Sequence, residues 1–436
     1  MGIPYYFASL IRAHKGIVRK VTHLTPDVLA IDFNCLIHTY LDDTNPIDSV
    51  VNALRTILDT VCTAKTVYIA MDGLVPYSKI VQQRYRRFRK SDTVPVFDRH
   101  QISPETPYMK ELATAVRAAF PSAIVSDTSE PGEGEHKLFA WARTLPEEER
   151  KTMSIYGLDA DLILLSLLQT SLTTDLTLLR ESKTFNQKVD GFTTLSVHRL
   201  AERLPIPVDE YIRLCVLCFG NDFMPTLGMF SLRYGGHDRA ISLYQRLGIS
   251  LDTFEGRAAF IEAAAAFEDK VYTSVNETRS PAEKAIFAGG HLFSERYCCH
   301  ILDGVQDITP VVGAFWKTYH WTMSYFTTNT VPDWGWVYPY PDAPLVKHMV
   351  GKTEPSIKWS RKKVCTTSQQ LHCILPSVSL RTAKKRVQYP DEYYDEEKDM
   401  RIPWMKRYAW ESEPRISIPW NPTVTQTTCV SWKSQA

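Results

Sequence analysis

The first half of the chain alternates short apolar, β-branched runs with longer mixed stretches. Val28–Ile31, Val67–Ala70, Ala123–Val125 and Met153–Tyr156 are each too short for a helix and read as buried strands. The stretches between them read as helices or loops. Strands that alternate with helices predict an α/β fold with a parallel sheet covered on both faces. Beyond Pro225 the period changes. Asp238–Leu247, Arg257–Glu268 and Ala282–Ala288 have helical spacing, and Phe315–Pro344 is dense in aromatics and, towards its end, in proline. A basic stretch and a more irregular region run to about Pro422. Thr423–Ala436 is polar and without periodicity, so a frayed tail is expected there.

Composition narrows this picture only modestly. A chain of 436 residues can form two or three average domains, or one large α/β domain with a companion region. Its apolar fraction of 44% and charged fraction of 23% are those of an ordinary globular protein. The net charge of +1 carries no signal for nucleic acid, so any such signal must be local. No run of about twenty apolar residues occurs, and the N-terminus lacks the basic start of a signal peptide. No membrane association is expected, and an intracellular location, cytoplasm before nucleus, is. Of nine cysteines, Cys35, Cys62, Cys215 and Cys218 lie in apolar segments and read as buried reduced thiols. Cys215 and Cys218 have CxxC spacing, but no second pair follows at zinc-ribbon distance.

The chemistry lies in acids at the strand ends. The run VLAID ends in Asp32 and VYIAMD in Asp72; Glu133 and Glu135 follow the third strand in PGEGEHK, and Asp159 and Asp161 follow the fourth. Asp222 comes after a later apolar stretch, in FGNDFMP. In a parallel sheet the C-terminal strand ends share one edge, where α/β folds bind ligands. A single acid there is as well explained as a helix N-cap. Six acids from four consecutive junctions exceed what capping explains. Clustered carboxylates repel unless a cation neutralises them, and hard divalent ions such as Mg²⁺ or Mn²⁺ suit an all-oxygen site. Two such ions can activate water and stabilise the leaving oxygen in phosphodiester cleavage.

A local basic signal follows Asp72. Lys79, Arg84, Arg86, Arg87, Arg89 and Lys90 lie within twelve residues that hold no acid, and Pro76 is placed to start a helix. At 100° per residue, Lys79, Gln83, Arg86 and Arg87 share roughly a quarter-turn, with Val81, Tyr85 and Phe88 opposite. A solvated charged face is the plainer explanation, but such faces mix signs and this one does not. Phosphate binding is therefore the expected role.

These segments also resemble a known family. MGIPYYF, LAIDFNCLIH, MDGLVPYSKIVQQRYRRFRK, PGEGEHK, YGLDADLILLSLL and FGNDFMP occur in the order found in the Xrn/Rat 5′→3′ exoribonucleases. DWGWVYPYPDAPL is similar to that family's second conserved region; more weakly, so are the segments around QQLHCILP and KRYAW. The resemblance implies a FEN/PIN-like nuclease core over 1–227. A mainly helical second region over 228–424 would close the active site, and 425–436 would be a disordered tail. It implies two Mg²⁺ or Mn²⁺ ions held by Asp32, Asp72, Glu133, Glu135, Asp159, Asp161 and Asp222. It assigns Lys79, Gln83, Arg86 and Arg87 to the 5′-monophosphate of a single-stranded RNA. His38 would stack on the terminal base against a tryptophan of the second region, Trp336 before Trp334. The chain is shorter than the large eukaryotic members and resembles a compact form without their extra C-terminal domains. Two other readings remain: a structure-specific DNA flap nuclease, although no helix–turn–helix segment is evident, and an inactive RNA-binding homologue, although no acid is missing.

Overall fold

Seven strands, β1 (Val18–Val21), β2 (Val28–Asp32), β3 (Thr66–Ala70), β4 (Ile124–Ser126), β5 (Thr152–Tyr156), β6 (Asp175–Lys183) and β7 (Val189–Ser196), form one sheet in the computed structural model. Their order is β1-β7-β6-β5-β2-β3-β4. The structure describes residues 2–3, 5–87, 96–183, 189–276, 279, 281–302, 304–359 and 366–375. The expected tail, the KRYAW segment and the basic residues Arg89 and Lys90 lie outside them.

The four strands read from the sequence form the middle and one edge of this sheet. β2 pairs in parallel with β3 and β5, β3 with β4, and β5 with β6. All five residues of β2 are buried, as a central parallel strand requires. Its alternate side chains feed two cores. Val28 and Ala30 join one apolar cluster, Leu29 and Ile31 the other. The second cluster is completed by the helices Phe33–Tyr40, Asp48–Thr56 and Pro107–Ala119. The first runs on without a break into the helices Val208–Phe219, Gly236–Leu247 and Thr309–Thr328.

β6 and β7 make an antiparallel hairpin at the other side, with β1 antiparallel beyond it. The sequence reading missed this hairpin. Its strands begin in Asp175 and in Val189-Asp190, and β7 is half-exposed along most of its length, so no apolar run marks it. The helices beyond Pro225 fall close to expectation, at Gly236–Leu247, Phe254–Ala265 and Pro281–Phe287. One boundary shifts. The Thr253 side chain accepts from Gly256 N at 3.1 Å and starts its helix three residues early. Glu268 then opens a separate helix, Glu268–Asn276, and accepts from the amides of Val346 and Lys347 at 2.8 and 2.9 Å.

Register places the site. Asp32 pairs with Ala70, Ala70 with Ser126 and Ile31 with Tyr156, so the C-terminal ends of β2, β3, β4 and β5 are level. The loops that follow carry the acids onto one rim.

Candidate active site

Glu133 and Asp159 occupy the N-cap positions of the helices Gly134–Ala142 and Ala160–Leu167, yet neither side chain accepts a capping hydrogen bond. Capping therefore does not explain them. Their carboxylates are used elsewhere. Asp32, Asp72, Glu133, Glu135 and Asp159 all line one cavity of about 470 Å³. Asp161 and Asp222, 3% and 1% exposed, are packed behind it.

Backbone geometry lets the acids come close. A Cβ on Gly134 would lie 3.3 Å from Asp32 Oδ1 and 3.4 Å from Asp72 Oδ1, so only glycine leaves both carboxylates their present room. Gly134 N donates to Asp72 Oδ1 at 2.7 Å, and Asn34 Nδ2 donates to Asp72 Oδ2 at 3.1 Å. Asn221 Oδ1 accepts from the amides of Phe223 and Met224 at 2.8 and 3.1 Å, a turn that fixes Asp222 after the helix Val208–Phe219.

Burial pushes the Asp32 carboxyl up to about 7, with further repulsion from Asp72 and then Asp159. Burial likewise raises Asp161 and Glu135, and Asp222 adds to it at Asp161. Among the described residues, Lys79 pairs directly with two of these acids. Lys79 Nζ lies 2.7 Å from Glu133 Oε2 and 2.6 Å from Asp222 Oδ2. Burial works against its charge, but Asp222 and Glu133 hold its pKa above the ordinary value.

Whether these residues fit divalent ions can be judged from their oxygens. Among the described residues no three acids, histidines or cysteines are gathered at chelating distance, and Lys79 lies between Glu133 and Asp222. Asp161 Oδ1 and Glu135 Oε2 are nevertheless buried with no hydrogen-bond partner. Carboxyl oxygens left without a partner in and behind such a cavity fit hard cations in an all-oxygen set.

The basic helix spans Tyr77–Arg87, as Pro76 led us to expect, but its surroundings differ from the expected exposed cationic face. Lys79, Gln83 and Arg87, four residues apart, line the cavity along one side. The rest is covered by distant segments. Tyr77 N donates to Trp334 O at 2.9 Å, Arg84 Nη1 to Cys373 O at 2.6 Å, and Val75 N to Gln370 Oε1 at 3.1 Å. Gln83 Oε1 is buried and accepts no hydrogen bond. The side chain of Arg86 lies outside the described ones.

His38 lines the cavity; Trp334 and Trp336 are not among its lining residues. The Trp336 indole donates to Thr318 Oγ1 at 3.1 Å and carries Lys317 Nζ 4.0 Å over its ring, so it is docked on the helix Thr309–Thr328. Several participants escaped the sequence reading. Asn34 and Cys35 stand in the same IDFNC motif as Asp32, and Cys35 Sγ donates to Asp32 Oδ2 at 2.9 Å. Tyr325 donates to Glu133 Oε1 at 3.1 Å and stacks on His136 at 3.8 Å, which ties the aromatic helix to the acid loop. It was hidden among many aromatics. Arg99 and His100, also in the cavity wall, follow the basic run and carried no signal of their own.

A largely parallel sheet flanked by helices, with buried acids delivered to one rim by successive loops, is the architecture of the PIN-like nucleases. The family described as "XRN 5′-3′ exonuclease N-terminus" matches residues 1–95 and 90–182. Among similar proteins are 5′-3′ exoribonuclease 2 of Saccharomyces cerevisiae, 25% identical over 366 residues (58% of this chain, 36% of the relative), and 5′-3′ exoribonuclease 1 of the same yeast, 26% identical over 326 residues (58% and 21%). Human 5′-3′ exoribonuclease 1 is 29% identical over 235 residues (43% and 14%). Over residues 1–182 the chain is thus similar to the N-terminal part of the Xrn 5′→3′ exoribonucleases. Its match covers little more than a third of the first relative's length and less of the others.

Proposed function

We propose that this chain hydrolyses single-stranded RNA stepwise from a 5′-monophosphate end and releases 5′-mononucleotides, in RNA decay in the cytoplasm. The observation that carries the reading is one cavity with five of the seven acids on one side and Lys79, Gln83 and Arg87 along another. Helical rise puts Lys79, which is paired with the acids, and Arg87 about 12 Å apart along the axis.

Two Mg²⁺ or Mn²⁺ ions bound by the seven acids would supply an activated water and stabilisation of the leaving oxygen. The protein's own groups do the rest. Asn34 and the Gly134 amide orient Asp72. Lys79, held by Glu133 and Asp222, brings positive charge to where a scissile phosphate would meet the acids. Gln83, which lines the cavity, would donate from its carboxamide N–H to the phosphate of the terminal nucleotide, with Arg86 and Arg87 in the same helical turn. His38 offers its ring to the terminal base. Of the two tryptophans, Trp334 is the better partner, because its carbonyl is bonded to the start of the basic helix while Trp336 is committed to Thr318. The helix Thr367–Ile374 backs the basic helix and the Trp334 carbonyl accepts from its start, which supports a second region packed against that helix.

A pocket blocked at the terminal phosphate admits only an end. With 3′-labelled RNA, mononucleotides should accumulate from the first turnover while the labelled strand shortens from its 5′ side. Early long internal fragments would make the enzyme an endonuclease, and preferential cutting of DNA flaps would make it a flap nuclease.

A further inference from the structure

The end of the cavity remote from the acids is built by a turn outside the basic helix. Asp98 accepts from His100 N at 3.0 Å and starts a single 3₁₀ turn, Arg99–Gln101. Ser103 and Thr106, 2% and 1% exposed, hold the following residues: Ser103 Oγ donates to His100 O at 2.5 Å, and Thr106 Oγ1 to Gln101 O at 2.5 Å. Arg87 completes the fixture. Its Nη1 donates to Ser103 Oγ and its Nη2 to Ile102 O at 3.0 Å. Lys79 pairs with the acids and Arg87 lies two helical turns beyond it, so this turn closes the far end.

Arg87 therefore has a further task beside the one its position on the helix face suggests. Its guanidinium is engaged by the turn. The cationic and polar groups that the turn itself brings to the cavity are Arg99 and His100. Arg99 Nε and Nη2 both donate to Asp43 Oδ1, at 3.2 and 3.0 Å, which sets the plane of the guanidinium, while Nη1 takes no part in that pair. A guanidinium oriented by a carboxylate, with a free edge at a cavity end, matches the oxygens of a phosphate.

We infer that Arg99 and His100 bind the outer oxygens of the 5′-terminal phosphate and determine end specificity, and that Arg87 is the positioning residue that holds their turn. This rests on the proposed reading of the chain as an exoribonuclease that acts on 5′-phosphate ends.

The test is kcat/KM for wild type, Arg99→Gln, Arg99→Lys and His100→Gln on one RNA sequence bearing either a 5′-phosphate or a 5′-hydroxyl. Both side chains are a third or more exposed (49% and 33%), so melting temperatures should stay at the wild-type value. Arg99→Gln should lose about tenfold or more on the 5′-phosphate substrate and nothing on the 5′-hydroxyl one, as expected for a lost hydrogen bond to a charged group. His100→Gln should lose less, and Arg99→Lys should recover part of the loss. If wild type distinguishes the two ends and Arg99→Gln distinguishes them equally well, this inference is wrong and the end-sensing reading stands. A wild type that treats both ends alike overturns both.

Discussion

Asp161→Asn should reduce RNA hydrolysis by roughly a thousandfold or more, since on the proposed reading several kcal/mol of transition-state stabilisation would come with ions held by these acids. RNA binding should persist. The same substitution should leave the metal-free protein as stable as wild type, or more so. Asp161 is 3% exposed, its Oδ1 has no hydrogen-bond partner, and burial together with Asp222 holds its pKa well above that of an ordinary carboxylate. A side chain that resists its own charge in the folded protein contributes nothing to folding that a neutral amide would lose. Activity would be followed by product release in Mg²⁺, and stability by thermal melting in EDTA. A variant that retains activity removes Asp161 from the metal set. One that loses activity only through unfolding assigns it to the core.

Lys79→Met should have the largest effect on stability, and the effect should depend on metal. Lys79 Nζ is within 2.7 Å of Glu133 and 2.6 Å of Asp222, both 2% exposed or less. Removing one partner of a buried pair typically costs about 3–5 kcal/mol, because the remaining charge is left without compensation. In a chain of this size that corresponds to a fall in Tm on the order of 5 °C in EDTA. Millimolar Mg²⁺ should restore much of it, since an ion among the acids supplies the missing charge. If the loss were equal with and without Mg²⁺, Lys79 would be an ordinary structural pair and would not stand in for the ions.

The contrast between these two residues shows what the sequence could convey. Asp159-x-Asp161 and Glu133-x-Glu135 are legible because strand-then-acid is a local pattern, and β2, β3, β4 and β5 are legible because their apolar runs are uninterrupted. The hairpin β6–β7 is not, since a half-exposed edge needs no such run. The basic helix was found from Pro76 and its charges, but its environment was misread. Val75 meets Gln370 and Arg84 meets Cys373 across nearly three hundred residues, and no local period encodes such contacts. The same holds for Tyr325 on Glu133 and for the Arg99 turn, where a local pattern supplies candidates and only the fold supplies partners.

The most direct test of the account is the initial rate in Mg²⁺ on three otherwise identical RNAs carrying 5′-hydroxyl, 5′-monophosphate or 5′-triphosphate ends. The monophosphate should be degraded fastest. The hydroxyl should lag by about tenfold or more for want of charge-assisted contacts. The triphosphate should be rejected, because on the proposed reading the turn held by Arg87 would leave room for only one phosphate at that end of the cavity. Equal rates on all three, or activity that survives EDTA, would contradict the account.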